Sequence, residues 1–146
     1  TLHTNSAIGA VTRLVDMGVD AYLLASSLVG VLAQRLLRTL CPDCKVSYPA
    51  DPLAYARLGL DAQAIPTLYR AQGCSHCQQG YRGRTGIYEL VSISAALADL
   101  IHQGASEPDL TREARQRSPS LFQDGQRLVL EGLTSLDELL RVTQAD

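Results

Sequence analysis

The strongest signal in this sequence is a pair of cysteine motifs, Cys41-Pro42-Asp43-Cys44 and Cys74-Ser75-His76-Cys77. In each motif a gap of two residues lets two thiolates approach one ion from a tight turn, and two such motifs complete a tetrahedron. Four sulfur ligands leave no coordination position for water, which favours a structural zinc over a hydrolytic one. We therefore predict a structural zinc site whose ligands are Cys41, Cys44, Cys74 and Cys77.

The cysteines have alternative uses that fit the residues less well. Disulfides are typical of secreted proteins, and the sequence shows neither the basic region nor the cleavage site of a signal peptide. A thiol oxidoreductase would need a cysteine of low pKa at a helix start after a strand, and Pro42 does not supply that context. His76 is a further candidate ligand in place of one cysteine.

The segment 41–80 differs in character from the rest of the chain. It carries all four cysteines and a short helical stretch near 53–58, and little hydrophobic core can be built from it. A metal substitutes for apolar burial in segments of this kind. We expect a small helical insert between the motifs, with Gly73 and Gly80 easing the turns around the second one.

Composition limits the classes of function. The chain has 146 residues, of which 46% are hydrophobic, so a core can be buried and disorder is not expected. The formal net charge of -2 gives no electrostatic case for a nucleic-acid partner. The most apolar run, 21–33, is too short to span a membrane, so no membrane insertion is expected. Because the chain opens at Thr1 in the middle of a motif, we expect it to be part of a longer protein.

Helices are predicted on both sides of the cysteine segment. Asn5 or Ser6 caps a helix that runs to about Met17, and Asp20 caps a second helix, which is apolar on most sides and so expected to be buried. On the first helix, one face carries Ile8, Val11 and Val15.

The residues after the cysteine segment predict a strand over 84–91 followed by helices only. Ser94 and Ser106 are the caps of two of them, and a third covers about 121–131. Ser135 and Glu138 are spaced as a capping box for the last helix.

Two further stretches are candidates for function. A histidine between a strand and a helix start, as in Leu2-His3-Thr4-Asn5, can donate to a phosphate group, although a solvated histidine is the simpler interpretation. The run 80–90 places two arginines between glycines in a turn that leads into a strand. It fits a solvated hairpin at least as well as an interface or a phosphate contact.

Taken in order, these motifs resemble one known family. The opening Thr1-Leu2-His3-Thr4-Asn5-Ser6-Ala7 is similar to the histidine box of secretion ATPases, and 32–36 followed by the first cysteine pair matches what comes next. The most specific part is Gly73-Cys74-x-x-Cys77 through Gly80-Tyr81-Arg82-Gly83-Arg84-Thr85-Gly86-Ile87-Tyr88-Glu89-Leu90, and 131–138 fits too. Together they resemble the C-terminal region of the type II secretion ATPases, the general secretory pathway protein E family.

The resemblance implies an α/β fold, mostly helical here: the C-terminal part of a RecA-like P-loop ATPase lobe with an inserted four-cysteine zinc module and a terminal helical bundle. It favours a strand over 31–40, where Leu32, Leu36 and Leu40 have helical spacing but Gly30 interrupts. It divides the chain into 1–40, the end of the ATPase lobe; 41–80, the zinc module; and 81–146, a strand with a helical subdomain.

The resemblance also implies a function. Members assemble into hexamers, hydrolyse ATP with Mg²⁺ and drive pseudopilus assembly for type II secretion, bound to cytoplasmic parts of inner-membrane platform proteins. We expect a cytoplasmic location, peripheral to the inner membrane of a Gram-negative bacterium. Of the nucleotide-site motifs only His3 carries over, as a γ-phosphate sensor.

One departure concerns the phosphate-binding loop. The pattern Gly-x-x-x-x-Gly-Lys-[Ser/Thr] is absent, and Lys45 is the only lysine. We therefore predict that the 146 residues alone do not hydrolyse ATP. The alternatives are a motor of type IV pilus assembly and a zinc-stapled protein-interaction module.

Overall fold

A computed structural model describes residues 2, 4–60 and 66–143. Helices and strands alternate irregularly along the chain, and this mixture agrees with the predicted α/β class. The elements are α1 (Ala7–Asp16), α2 (Ala21–Ser27), β1 (Gly30–Leu40), β2 (Val46–Pro49), α3 (Pro52–Leu58), β3 (Thr67–Arg70), β4 (Tyr81–Ser92), α4 (Ala95–His102), α5 (Glu107–Ala114), α6 (Leu121–Leu130) and α7 (Leu136–Thr143).

The chain forms two compact units, each built from two stretches of sequence. The first unit contains Thr1–Gln34 and Tyr88–Leu121, and the second contains Arg35–Ile87 and Phe122–Asp146. Strands β1 and β4 each contribute residues to both units. The division into 1–40, 41–80 and 81–146 expected from the sequence stays a prediction.

The long strands β1 and β4 pair with each other. Within the second unit they run antiparallel, since the Cys41 amide donates to the Gly80 carbonyl and the Thr39 hydroxyl to the Arg82 carbonyl. The expected strand over 31–40 is confirmed, because this backbone pairing outweighs the helical spacing of its leucines. Strand β4 also confirms the expected alternation, with Ile87 fully buried and Tyr88 46% exposed.

In the described part of the segment between the cysteine motifs, 45–60 and 66–73, the chain forms a small antiparallel hairpin and one helix. Strand β2 pairs with β3 from Val46 opposite Arg70 to Pro49 opposite Thr67. Helix α3 lies between them in sequence and confirms the predicted insert, with Asp51 accepting from the Ala54 amide as its N-cap. The two strands were not predicted, because runs of four residues carry too little periodicity to be recognised.

The core of the first unit is formed by one face of each of its helices. Its fully or nearly buried members are Ala7, Ile8, Val11, Leu24, Val91, Leu97, Ile101, Leu110 and Ala114. The expected face of α1 is only partly right, since Val15 is 39% exposed. The expectation that α2 is buried is wrong within this chain: Tyr22 and Leu23 are 62% and 57% exposed, and only Leu24, with the partly buried Ala25 beside it, packs against the core.

Helix caps agree with the predictions wherever the hydrogen bond is local. Ser6 caps α1, Asp20 caps α2, Ser94 caps α4 and Ser106 caps α5, each accepting from a backbone amide of the first turn. Each bond needs only the cap residue and the helix that it starts, so it can be recognised from the sequence.

The predicted capping box on α7 is half confirmed. Ser135 accepts from the Glu138 amide, as expected. The Glu138 carboxylate instead accepts from the backbone amide and guanidinium of Arg38 on β1 and from the guanidinium of Arg141. The Glu138 side chain is completely buried, so its negative charge needs partner cations. This need outweighs the hydrogen bond that a capping box would make back to the cap residue.

Tyr81 completes the contacts around this carboxylate within the second unit. Its hydroxyl lies 2.7 Å from the Ser135 hydroxyl, and the Arg38 guanidinium stacks 4.2 Å from the centre of its ring. The network therefore joins β1, β4 and the start of α7 through side chains.

Among the described residues, no helix combines the length and the apolar character needed to cross a membrane.

Substitution of Glu138→Gln should lower the free energy of unfolding at pH 7 by about 2 to 3 kcal/mol. Burial opposes the charge on Glu138, but the hydrogen bonds from Arg141 and Arg38 outweigh burial and lower the pKa of this carboxyl to about 2. A lowered pKa means that the stabilisation is present above the unfolded-state value and disappears as pH falls towards 2. Denaturant titrations at pH 7 and pH 3 measure it, and the gap between variant and wild type should shrink at pH 3.

The matched control is Glu131→Gln, which removes a glutamate that is 45% exposed and paired with Arg127. An exposed ion pair contributes at most about 1 kcal/mol, so this variant should stay close to wild type at both pH values. Equal losses in the two variants would contradict the special role of Glu138.

Candidate metal centre

The four cysteines lie at the ends of strands in the second unit. Cys41 directly follows β1, and Cys44 stands two residues before β2. Cys74 and Cys77 lie in the connection between β3 and β4. The antiparallel pairing of β1 with β4 therefore brings together two motifs that are far apart in sequence.

The sulfur atoms are spaced as a tetrahedral metal site requires. All four lie within 4.8 Å of one another, with Sγ–Sγ distances of 3.9 Å for Cys41–Cys74, 3.7 Å for Cys44–Cys77 and 3.6 Å for Cys74–Cys77. Four sulfurs at the zinc–sulfur bond length of about 2.3 Å stand about 3.8 Å apart at the corners of a tetrahedron. The cysteine cluster thus has the size of a four-sulfur site.

Disulfides do not account for this geometry. All four cysteines are free, and their sulfurs are nearly twice as far apart as the bonded distance of about 2.05 Å. The donor set is soft and closed, which suits a structural d¹⁰ ion such as zinc.

Backbone hydrogen bonds hold the two motifs in their turns. The Cys74 amide donates to Cys77 Sγ at 3.2 Å, and the Lys45 amide donates to the Cys41 carbonyl at 3.0 Å. The turn after the second motif passes through Gly80, whose φ of +85° is unfavourable for other residues. A Cβ at this position would also stand 2.5 Å from that of Ala71, so glycine is required there as the sequence predicted.

The thiols differ in how readily they ionise. Burial disfavours the Cys77 thiolate, but hydrogen bonds from the Cys74 and Gly80 amides and from neighbouring thiols outweigh it and lower the pKa to about 7. For Cys74, the His76 amide favours the thiolate, but burial and the neighbouring thiols prevail and raise the pKa to about 12. A divalent ion held by the four cysteines would displace the thiol protons, because its ligands are thiolates.

His76 lies outside the sulfur cluster. Its side chain is 71% exposed, and its Nδ1 is 3.9 Å from the Asp43 carboxylate. The geometry favours the four cysteines over a set that includes this histidine.

The glycine- and arginine-rich run leaves a tight turn, closed by two hydrogen bonds between Gln78 and Tyr81, and continues as the beginning of β4, which agrees with the predicted turn that leads into a strand. Arg82 pairs with Asp43 at 3.1 Å, while Arg84 lines a cavity of about 500 Å³ together with Arg38 and Tyr81. An interface or phosphate contact for this run stays a prediction.

The other predicted site residue, His3, lies outside the described residues, so its role as a phosphate sensor also stays a prediction. Sequence reasoning missed the contacts of Asp43 and Lys45 around the metal centre. Lys45 donates to the Gly132 carbonyl at 2.8 Å and stacks over the Tyr69 ring. No local sequence spacing predicts such a contact, because Lys45 and its partners are distant in sequence.

A family model described as "Type II/IV secretion system protein" matches residues 1–141. The type II secretion system protein E of Pseudomonas aeruginosa is 59% identical over the whole chain, and the type II secretion system ATPase E of Vibrio cholerae is 52% identical over 99% of it. The type IV pilus assembly ATPase TfpB of Acinetobacter baylyi is 47% identical over 97% of the chain.

The chain spans 29% of the length of the first two of these relatives and 25% of the third. The family model covers nearly all of the chain, and the agreement with these relatives extends from end to end. The chain belongs to the type II/IV secretion system protein family.

Proposed function

We propose that this chain is the C-terminal part of a cytoplasmic hexameric ATPase that powers type II protein secretion by driving pseudopilus assembly. The observation that carries the proposal is the 59% identity, over the full chain, to a type II secretion system protein E. The catalytic lobe would be RecA-like, and ATP and Mg²⁺ would be bound by parts of the full-length protein beyond these residues.

The expected partners follow from the same proposal. Further copies of the protein would complete the hexamer, and cytoplasmic domains of inner-membrane platform proteins would place it at the inner membrane without insertion. The chain itself would supply His3 to the nucleotide site and a metal-stapled module to the surface.

The alternative is a motor of type IV pilus assembly. It is supported by the 47% identity to a type IV pilus assembly ATPase. Two of the three relatives described above are named for type II secretion and have the higher identities, so the secretion role is favoured.

We further propose that the four cysteines bind one structural zinc ion. Three sulfur pairs are 3.6 to 3.9 Å apart and all four sulfurs lie within 4.8 Å of one another, which supports the site, and zinc is the common closed-shell ion for four thiolates. The ion would be held by Cys41, Cys44, Cys74 and Cys77. Its role would be structural, because it would cross-link the two motifs. A second candidate function is that of a protein-interaction module, which the same zinc site would stabilise.

The zinc proposal predicts about one equivalent of zinc per chain by elemental analysis. Changing Cys41→Ser or Cys74→Ser should remove it, because three thiolates bind the ion far more weakly than four. The matched control is His76→Gln, which should retain the metal. A well-folded chain without metal, or a loss of metal in His76→Gln, would contradict this ligand set.

Removal of the metal by a chelator should act locally. We expect backbone amides of residues 41–60 and 66–80 to lose protection from hydrogen exchange, since this segment has little core of its own. Amides of α5, in the core of the first unit, should keep theirs. Simultaneous loss of protection in both regions would contradict a local staple.

The motor proposal predicts ATP hydrolysis by the full-length protein and none by the 146 residues alone. In the full-length protein, His3→Ala should reduce kcat by at least about tenfold, because a donor to the γ-phosphate would be lost. His102→Ala, which removes an exposed histidine on α4, should leave the rate unchanged. The rates are measured by phosphate release.

Two results would count against the motor proposal. Equal rates in His3→Ala and wild type would exclude the sensor role. Loss of surface pili with secretion intact, in a strain that carries His3→Ala, would favour the alternative motor.

A further inference from the structure

The carboxylate of Asp43 lies between the two cysteine motifs of the second unit. Asp43 belongs to the first motif, and its Oδ2 accepts from Arg82 Nη1 at 3.1 Å, just beyond the second motif. The same oxygen lies 3.9 Å from His76 Nδ1, inside the second motif. One carboxylate of the first motif therefore contacts two side chains associated with the other.

The charge of Asp43 by itself is unfavourable to a metal at this place. Four thiolates with a divalent ion carry a net charge of about -2, and Asp43 Oδ2 is only 3.9 Å from Cys41 Sγ. Like charges at this distance repel each other and weaken the site. Asp43 is also not a member of the sulfur cluster, so it gains nothing by ligation.

The backbone around Arg82 is held in place independently of its side chain. The Arg82 carbonyl accepts from the Thr39 hydroxyl on β1 at 2.5 Å, and the Cys41 amide donates to the Gly80 carbonyl at 2.9 Å. Arg82 thus stands on paired strands that lead into the two motifs. An ion pair from Arg82 to Asp43 can therefore hold the first motif in a fixed orientation relative to the second motif.

We propose that Asp43 is a positioning residue, which holds the first cysteine motif against the second through Arg82 and so slows release of the metal. The inference rests on the proposed zinc site and concerns its kinetics. By its negative charge alone, Asp43 would weaken the metal site. The proposed positioning role has the opposite effect, because it slows release of the metal.

The sign makes the inference testable in the 146-residue chain. Zinc release to excess chelator is followed with a coloured zinc indicator in wild type, Asp43→Asn, Arg82→Gln and the double variant. If Asp43 positions the motif, Asp43→Asn should speed release by up to about fivefold, the most that an exposed ion pair contributes. In the Arg82→Gln background, Asp43→Asn should not speed release further, because the pair is already broken.

Two further variants separate the ion pair from general charge and fold. Arg84→Gln removes one exposed positive charge two residues along β4, and it should leave the release rate close to wild type. Arg82→Lys keeps the charge but loses the planar donor group, and should give an intermediate rate. Circular dichroism of the metal-loaded variants checks that each is folded.

The outcomes distinguish this inference from the zinc proposal. Slower release in Asp43→Asn, or an equal acceleration in Arg84→Gln, would mean that plain electrostatics governs the site and would overturn the inference alone. A wild-type chain that holds no zinc would overturn the metal site and the inference with it. Acceleration in Asp43→Asn that disappears in the Arg82→Gln background would establish the positioning role.

Discussion

Convergence of four thiols is the constraint on which the segment 41–80 depends. Its own core is small: the buried apolar residues of the described part of the insert are Ala50, Ala54, Tyr55, Leu58 and Leu68. So few apolar side chains cannot offset the conformational entropy lost on ordering 41–60 and 66–80, which costs about 1 to 2 kcal/mol for each backbone unit. A metal ion bound by the four thiols, as proposed above, would offset that cost, because its binding free energy is gained only when the segment folds. The β1–β4 pairing brings the four thiols together.

Buried glutamates provide a second kind of cross-link in each unit. In the second unit, Glu138 joins α7 to β1 through Arg38. In the first unit, Glu89 on β4 is 1% exposed, binds the Arg115 guanidinium at 2.5 Å and accepts from the Ala7 amide at the start of α1. A carboxylate buried without a cation would cost several kcal/mol, so each glutamate helps to specify which helix lies beside which strand within its unit.

Membership of the secretion family and the geometry of the cysteine cluster rest on separate grounds. Family membership comes from end-to-end similarity, which says nothing by itself about why four thiols lie together. Bond lengths and strand pairing are enough to explain the geometry of the cluster. Four thiolates around one ion would leave no coordination position for water or substrate. A closed site of this kind stabilises structure, so the proposed hydrolysis of ATP has to be performed elsewhere in the full-length protein.

Features that depend on neighbouring residues were determined by the sequence alone. These include the two-residue gap of each cysteine motif, the caps at Ser6, Asp20 and Ser94, and the positive φ at Gly80, because each involves only a few consecutive residues. Tertiary structure alone decided the exposure of Leu23, the diversion of Glu138 from its cap, and the pairing of Asp43 with Arg82. Arg38 and Glu138 are separated by one hundred residues. A local sequence pattern cannot predict which distant cation pairs with a buried carboxylate, because the fold brings the two together.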